Sequence, residues 1–342
     1  MTKTLNPRLL GVALIAIALL LAPVVFAEQQ YLLRVVTTAA IYAIAAYGLN
    51  IILGLTGQLS LAHGAFFGVG AYTVGLLTTD YDWAFWTAFA VAIAATTVLG
   101  YVSGLIALRT QGAYFAIFTM ALGFLIFIVV TRWESVTHAH SGVSGVKFPE
   151  NIGPIDFTEP ATMYYFVLLF LAAAAYTTHA LLHSNAGRSL VAIRTSEDLA
   201  KSIGVNVAVS KQLAFTASAT IAGIAGGLFA SLNGFIGPDS AGIDRTFELL
   251  LFLLIGGLGT VMGPILGSLL VAFLFEMLQD LETYRFIVLG PIIVLLVIFA
   301  PRGILGYLND LVPARFKRRD MTMTPGPDTV PAGSTTKNDE VL

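Results

Sequence analysis

Long apolar runs constrain this chain more than any other feature of its sequence. A helix needs about 20 mostly apolar residues to cross the hydrocarbon layer of a bilayer, and runs of this kind recur along most of the chain. Hydrophobic residues make up 57% of the chain and charged residues only 11%, whereas soluble domains carry about 25% charged residues. The sequence therefore predicts an all-α polytopic membrane protein.

About ten stretches have the length and composition of transmembrane helices. They are residues 9–27, 31–53, 58–78, 84–107, 112–131, 161–183, 213–236, 246–259, 263–280 and 286–301. The eighth is too short to cross the bilayer straight, and glycines follow it, so that 246–280 forms either two spans or a re-entrant hairpin. The first stretch also has features of a cleavable signal peptide, but its apolar run exceeds the usual 7–15 residues of such a peptide by roughly four. A retained helix is favoured.

The distribution of basic residues predicts the orientation of the helices. With both termini in the cytoplasm, 13 of the 18 lysines and arginines fall on the cytoplasmic side and five outside, as the positive-inside rule requires. The loop 184–212 is then cytoplasmic and the loop 132–160 external. We expect residues 1–312 to form the membrane domain. Residues 313–342, rich in Pro, Thr, Gly and Ser, are expected to be a disordered cytoplasmic tail.

The cytoplasmic loop contains a short segment with helix-capping signals. Thr195 and Asp198 have the spacing of a capping box, Glu197 precedes Lys201 by four residues, and Gly204 stands where a helix would end. A helix of about two turns, ~12 Å long, would place two apolar side chains on one face, which favours a docking partner over a solvated linker. The predicted contact residues are Glu197, Asp198, Leu199, Lys201, Ile203 and Gly204.

Several kinds of chemistry are missing from the sequence. No Gly-Lys dipeptide occurs, so the chain lacks a P-loop, and we expect no enzymatic activity of its own. There is no cysteine, and His179 and His183 have metal-ligand spacing without an evident third ligand. The net charge of -2 gives no reason to expect nucleic acid. We expect neither a metal nor a cofactor.

Polar residues interrupt the apolar pattern between the second and third stretches. Asn50, Gln58, Ser60 and His63 lie in apolar surroundings, where such groups face the bundle interior or a watery path. They are candidates for the translocation path, and helix-to-helix hydrogen bonding is the structural alternative. Glycines predict a helix break or close packing here and in the 246–280 region: Gly54, Gly57, Gly256, Gly257, Gly259 and Gly263.

Four segments resemble a known family. They are GLTGQLSLAHGAFFGVGAY at 54–72, GAYFAIFTMALG from Gly112, the GVNV-containing loop at 184–212 and FELLLFLLIGGLGTVMGPILGS at 247–268. Together they resemble the LivM-type permeases of branched-chain amino-acid ABC transporters. The resemblance covers about residues 35–305 and implies the bundle of a type II ABC importer in a bacterial inner membrane.

This resemblance also implies partners and a mechanism. Such a permease pairs with a LivH-like second permease, two cytoplasmic ATPases bind beneath, and an external binding protein delivers the substrate. The loop at 184–212 is similar to the EAA loop of importers, although Glu197-Asp198-Leu199-Ala200 replaces Glu-Ala-Ala. A relative that carries urea, short amides or a sugar is an alternative. A secondary transporter driven by an ion gradient would need intramembrane carboxylates, which the central parts of the predicted spans almost lack.

Overall fold

Helices occupy most of residues 7–277, the part of the chain that this computed structural model describes. In chain order they are α1 (Pro7–Val25), α2 (Gln30–Leu49), α3 (His63–Thr79), α4 (Phe85–Ala107), α5 (Ala113–Arg132), α6 (Glu134–Thr137), α7 (Pro160–His183), α8 (Asn185–Thr195), α9 (Glu197–Ser202), α10 (Val207–Asn233), α11 (Ile243–Gly256) and α12 (Gly263–Met277). A π-helical turn, Asn50–Leu55, extends α2, and two short strands, β1 (Val143–Ser144) and β2 (Phe235–Ile236), form an antiparallel pair.

Five helices within the described residues are long and apolar enough to cross a membrane. They are Gln30–Leu55, Phe85–Ala107, Ala113–Arg132, Pro160–His183 and Val207–Asn233. Leu14–Val25 and Gly263–Met277 are shorter apolar helices. The predicted stretch 58–78 is wrong at its start, because helix α3 begins only at His63. The predicted stretch 286–301 and the predicted tail 313–342 lie outside the described residues.

Helix α10 lies at the centre and packs against α2, α3 and α4. Small residues allow these backbones to come close, which is how helices associate in lipid. A Cβ atom on Gly48 would lie 2.7 Å from the carbonyl oxygen of Ser218, and one on Gly70 would overlap the backbone of Gly223. Buried aromatic rings, among them Phe66 and Phe215, fill the space around these contacts.

The bundle has two ends with different connections. At one end, Arg34 of α2 donates to Asn233 of α10 (3.3 Å), and the hydroxyl of Tyr31 donates to Glu276 of α12 (2.5 Å). The start of α2 and the ends of α10 and α12 therefore lie together. At the other end, α8 and α9 connect α7 to α10. We refer to this end as the α8–α9 end.

The 132–160 loop lies at the opposite end and is irregular, apart from α6, a 3₁₀ turn and β1. β1 pairs with β2, the strand that follows α10. Lys147 forms an ion pair with Asp82, and this bond holds the pKa of the Asp82 carboxyl below its usual range. Glu150 accepts a hydrogen bond of 2.7 Å from the backbone N–H of Phe85 at the start of α4. The loop is thus fixed to the α3–α4 turn and to α10.

Candidate functional site

The chain leaves the regular helix between α2 and α3, over residues 50–62, which we call the break segment. It starts with the π-helical turn, a form that occurs mostly as single turns and often at functional sites. From Gly57 to Ala62 the backbone is not helical, and Gly57 has a φ of 73°. Gln58 and Ser60 therefore lie in an irregular connection and not on a transmembrane helix. Each backbone polar group in such a connection needs a partner from a neighbouring element.

Asn50 joins the break segment to the turn between α11 and α12. Its side chain is fully buried, donates to the carbonyl of Thr260 (2.9 Å) and accepts from the backbone N–H of Gly259 (2.8 Å). The hydroxyl of Tyr47, one turn earlier, donates to the carbonyl of Val261. The turn is thus held to α2 and its π-helical extension by three side-chain hydrogen bonds.

The predicted break and packing glycines surround this junction. Gly257 and Gly259 have φ values of 119° and 72°, which side-chain-bearing residues rarely adopt. A Cβ on Gly256 would overlap the carbonyl oxygen of Gly263, and a Cβ on Gly263 would lie 2.5 Å from Thr260 Oγ1. The α11–α12 turn therefore depends on glycine both for its dihedral angles and for its close packing.

The last two of these glycines, Gly54 and Gly57, lie in the break segment itself. A Cβ on Gly54 would overlap Asn50 Oδ1 and lie 2.8 Å from the backbone nitrogen of Gly259. A Cβ on Gly57 would lie 3.0 Å from Cγ of Arg194, in α8. The break segment is therefore pressed between the α11–α12 turn and α8.

His63 connects the break segment to two core helices. Its Nδ1 lies 3.1 Å from Ser60 Oγ and its Nε2 lies 2.5 Å from Ser218 Oγ, on α10. Ser218 donates its hydroxyl proton to the carbonyl of Gly48, on α2 (2.5 Å). Since that proton is used, Nε2 must donate to Ser218, and Nδ1 accepts from Ser60. The geometry thus assigns a proton to Nε2.

None of the four candidate path residues has a freely accessible side chain. Asn50, Ser60 and His63 are completely buried, and Gln58 is 7% exposed. Their hydrogen bonds run to other elements of the same subunit. A substrate would reach these groups only if the break segment moved.

Helix α9 is the predicted short helix, but its cap is one residue further on. Thr195 ends α8 and its hydroxyl donates to the carbonyl of Val191 (3.1 Å). The predicted Thr195–Asp198 capping box is wrong. Ser196, in an extended conformation, accepts from the backbone N–H of Leu199 (3.3 Å) and caps the helix. At the other end Gly204, with a φ of 85°, donates its backbone N–H to the carbonyl of Lys201.

Two apolar side chains project from α9 and its C-terminal end. Leu199 is 61% exposed and Ile203 is 68% exposed, while Ala200 on the other side is buried. Asp198 and Lys201 form an exposed ion pair at 3.3 Å. The predicted Glu197–Lys201 pair is wrong, because Glu197 turns toward the bundle.

Glu197 is the centre of a polar cluster at the α8–α9 end. It forms an ion pair with Lys211 of α10 and accepts hydrogen bonds from Gln111 (2.9 Å) and Gln58 (3.4 Å). The side chain of Lys211 is 2% exposed. Nearby, Nη1 of Arg194 donates to the carbonyl of Gly54 (2.7 Å).

Sequence reasoning missed three members of this cluster. Lys211, Arg194 and Gln111 come from α10, α8 and the α4–α5 turn, and periodicity does not show that these elements meet. The sequence did offer one signal for the cluster: Lys211 lies in the first turns of an apolar helix, and a lysine that is buried needs a carboxylate partner.

A second charged cluster lies nearer the opposite end. Arg245 of α11 is 15% exposed, and its Nη1 donates to Glu248 (2.6 Å) and to the hydroxyl of Tyr42 (2.8 Å). The rings of Tyr42, Phe67 and Phe229 surround the guanidinium, with centroids 5.0, 5.7 and 5.5 Å away. Arg245 is one of the five basic residues that the positive-inside count placed outside, and that count could not show this environment, in which a carboxylate and aromatic faces surround the charge.

Comparison with known proteins identifies the family. A family model described as "Branched-chain amino acid transport system / permease component" matches residues 31–298. The high-affinity branched-chain amino acid transport system permease protein LivM of Escherichia coli K12 is 30% identical over 89% of this chain and 76% of its own length.

Two further relatives are more distant. BraD of Pseudomonas aeruginosa and LivH of Escherichia coli K12, permease proteins of the same kind of system, are 24% and 26% identical over 83% and 81% of this chain. These matches cover 97% and 95% of the relatives' own lengths. No solved structure matches the chain. Since the family model and the match to LivM both extend over most of the sequence, this chain belongs to the permease components of branched-chain amino acid transport systems.

Proposed function

We propose that this chain is the membrane-spanning permease subunit of an ATP-driven ABC importer, and that its cargo is branched-chain amino acids delivered by an external binding protein. Its family and the names of its relatives LivM, BraD and LivH support this cargo. The chain has no P-loop, so that ATP hydrolysis belongs to partner subunits. Its own contribution is mechanical.

The same proposal includes the assembly and its location. LivM and LivH are both permease proteins of a high-affinity branched-chain amino acid system in Escherichia coli, and both are similar to this chain. This supports a heterodimer with a LivH-like second permease in a bacterial inner membrane. Two ATPases would bind at the α8–α9 end, which we assign to the cytoplasm from the positive-inside count.

The proposed count of ten spans depends partly on the α11–α12 pair. The pair contacts α2 and its extension at two distant points. Glu276, near the end of α12, lies beside Tyr31, and Gly259, in the α11–α12 turn, lies beside Gly54. Those two positions on α2 and its extension are roughly 35 Å apart at 1.5 Å per helical residue, which is about the thickness of the hydrocarbon layer. The α12 arm thus reaches from one end of α2 to the other, whereas α11, with 14 residues, is about 21 Å long and starts beside Tyr42, near the middle of α2.

The observation that carries the proposal is the exposed apolar pair on α9. Leu199 and Ile203 are more than half exposed, and they lie on a short helix that is capped by Ser196. Burying two such side chains in a partner would contribute about 1.5–3 kcal/mol each. The exposed residues Asp198 and Lys201 flank them, whereas Glu197 faces the bundle, and we assign the face to an ATPase.

Ile203→Asp tests this assignment in the assembled complex. An aspartate would have to be desolvated in the partner's apolar pocket, so we expect the ATPases to be lost on purification and stimulated ATP hydrolysis with them. Ile152→Asp is the matched control, since Ile152 is also about half exposed but lies at the opposite end. Retention of both ATPases by Ile203→Asp would show that this face is not the contact.

The cargo is tested separately on the external binding protein. Purified binding protein should bind leucine, isoleucine or valine and stimulate ATP hydrolysis by the complex in their presence only. Stimulation by urea, a short amide or a sugar instead would assign the chain to another branch of the same permeases. In either case we place Asn50, Gln58, Ser60 and His63 on a path that opens when the break segment moves.

A further inference from the structure

Two side-chain tethers connect the α8–α9 pair to the break segment. Arg194, near the end of α8, donates to the carbonyl of Gly54 in the π-helical turn (2.7 Å). Glu197, at the start of α9, accepts from Gln58 (3.4 Å) in the non-helical part. The tethers come from residues three apart in the chain. A displacement of the α8–α9 pair would therefore act on the break segment at two points.

The ion pair between Glu197 and Lys211 makes the second tether stiff. The side chain of Lys211 is 2% exposed and that of Glu197 is 20% exposed. If the pair opened, water could hydrate the Glu197 carboxylate more easily than the Lys211 ammonium. Separating such a buried pair leaves a charge without compensation, which is strongly unfavourable. Helix α9 can therefore move without breaking the pair only if Lys211 and its surroundings move too.

The break segment is built to respond to such a displacement. A π-helical turn lacks the regular i→i−4 ladder, and the residues after it form no helix until His63. Within the described residues, Gln58 Oε1 is buried and has no hydrogen-bond partner. An unsatisfied buried carbonyl raises the free energy of this arrangement relative to one in which the oxygen accepts a hydrogen bond.

We propose that Lys211 and Arg194 are positioning residues that transmit the movement of α9 to the break segment, and that the Glu197–Lys211 pair must stay closed for transport to follow ATP hydrolysis. This inference rests on the proposed docking of ATPases on α9. From the break segment, Asn50 carries the displacement to the α11–α12 turn, and His63 carries it to α10.

Lys211→Met is the variant that tests the transmission. It removes the buried charge, keeps an apolar chain of similar length and leaves Glu197 with Gln111, Gln58 and water. The measured quantity is the amount of substrate transported per ATP hydrolysed by the whole importer in proteoliposomes. We expect this ratio to fall about tenfold, while the ATPases still co-purify and basal hydrolysis stays within twofold of wild type.

Lys147→Met is the matched control. Lys147 is 39% exposed and pairs with Asp82 at the opposite end, away from α9 and the break segment, so its loss should leave the ratio unchanged. An unchanged ratio in Lys211→Met, with both ATPases bound, would overturn the proposal. Equal loss in the two variants would also overturn it, because the effect would then follow from the loss of any lysine ion pair and not from the loss of the Glu197–Lys211 pair.

A second measurement follows the break segment directly. The chain has no cysteine, and Leu59 is 38% exposed, so that Leu59→Cys gives a single reactive thiol in this subunit. We expect its labelling rate by a maleimide to change at least threefold between nucleotide-free and ATP-bound complex, and to lose this dependence when Lys211→Met is added. A nucleotide dependence that survives in the double variant would contradict transmission through Lys211.

These outcomes separate the inference from the proposed function. If Ile203→Asp releases the ATPases and Lys211→Met leaves the coupling ratio unchanged, α9 is the docking helix but the tethers transmit nothing. If Ile203→Asp retains the ATPases, the docking proposal fails first.

Discussion

Gly54 shows how little space the junction leaves for a side chain. Its α-carbon lies where the π-helical turn, the Asn50 amide and the α11–α12 turn meet, and its carbonyl accepts from Arg194. A methyl group there would overlap Asn50 Oδ1 and press on the backbone nitrogen of Gly259. The backbone on both sides is fixed by hydrogen bonds, so that strain cannot be relieved by a side-chain rotation alone.

Gly54→Ala should therefore destabilise the subunit. Overpacking in a well-packed interior costs about 1–3 kcal/mol, and displacement of Asn50 would weaken its two hydrogen bonds as well. We expect a lower midpoint of thermal denaturation for the detergent-solubilised subunit. Gly11→Ala is the control: a Cβ on Gly11 meets nothing within 4 Å, and alanine is preferred in a helix by up to about 1 kcal/mol. A midpoint for Gly54→Ala equal to that of Gly11→Ala would contradict this account.

Residue identity alone could not show which partners the polar groups would find. His63 and Gln58 were recognisable as polar residues in apolar surroundings, but Ser218 is 155 positions from His63 and Glu197 is 139 positions from Gln58. Such pairings are set by which helices become neighbours. Arg245 is the clearest case, because three aromatic rings from α2, α3 and α10 make its environment.

At the scale of elements, helix α9 depends on its cap. Six residues form too few internal hydrogen bonds to be stable alone, so the contacts at both ends decide whether the helix is present for a partner. Ser196 accepts from the Leu199 N–H, and Gly204 provides the left-handed residue that ends the helix. Thr195 resembles a cap in sequence but bonds backward into α8.

Comparing Ser196→Ala with Thr195→Ala distinguishes the two hydroxyls. Loss of an N-cap hydroxyl costs about 1 kcal/mol, which corresponds to a factor of about five in the opening equilibrium of the helix. Hydrogen exchange of the α9 amides, measured by mass spectrometry, should accelerate by about that factor in Ser196→Ala. Thr195→Ala should leave α9 unchanged. If the α9 amides exchanged faster in Thr195→Ala and not in Ser196→Ala, Thr195 would be the cap, as the capping box in the sequence predicts.

The elements themselves were largely predictable, because length and hydropathy determine a transmembrane helix. The stretches 84–107 and 161–183 agree with α4 and α7 to within one residue at each end. The same reasoning failed at 58–78, where an apolar run with two polar residues was extended through a connection. A π-helical turn has no sequence pattern of its own, and this one is bound through Asn50 to the α11–α12 turn, more than 200 positions away.

At the scale of the whole molecule, the arrangement of charged residues favours a permease coupled to ATPase subunits over a transporter driven by an ion gradient. Such a transporter needs an intramembrane carboxylate that can bind and release an ion. In the described part of the chain, Glu248 is 12% exposed but is bound to Arg245, and Glu197 is bound to Lys211. Both carboxylates are thus bound to basic groups, Glu248 within α11 and Glu197 across to α10, and the exposed apolar pair is on the α9 surface.

The orientation of the chain in the membrane decides from which side a partner can reach α9. The absence of cysteine allows single reporter thiols: Asp198→Cys on α9, where the side chain is 95% exposed, and Ile152→Cys at the opposite end. In sealed right-side-out vesicles without ATPase subunits, a membrane-impermeant maleimide should label Ile152→Cys alone. Inside-out vesicles should give the reverse result, because the basic residues at the α8–α9 end favour the cytoplasm. Labelling of Asp198→Cys from outside would place α9 beyond the reach of any ATPase and overturn the proposed function.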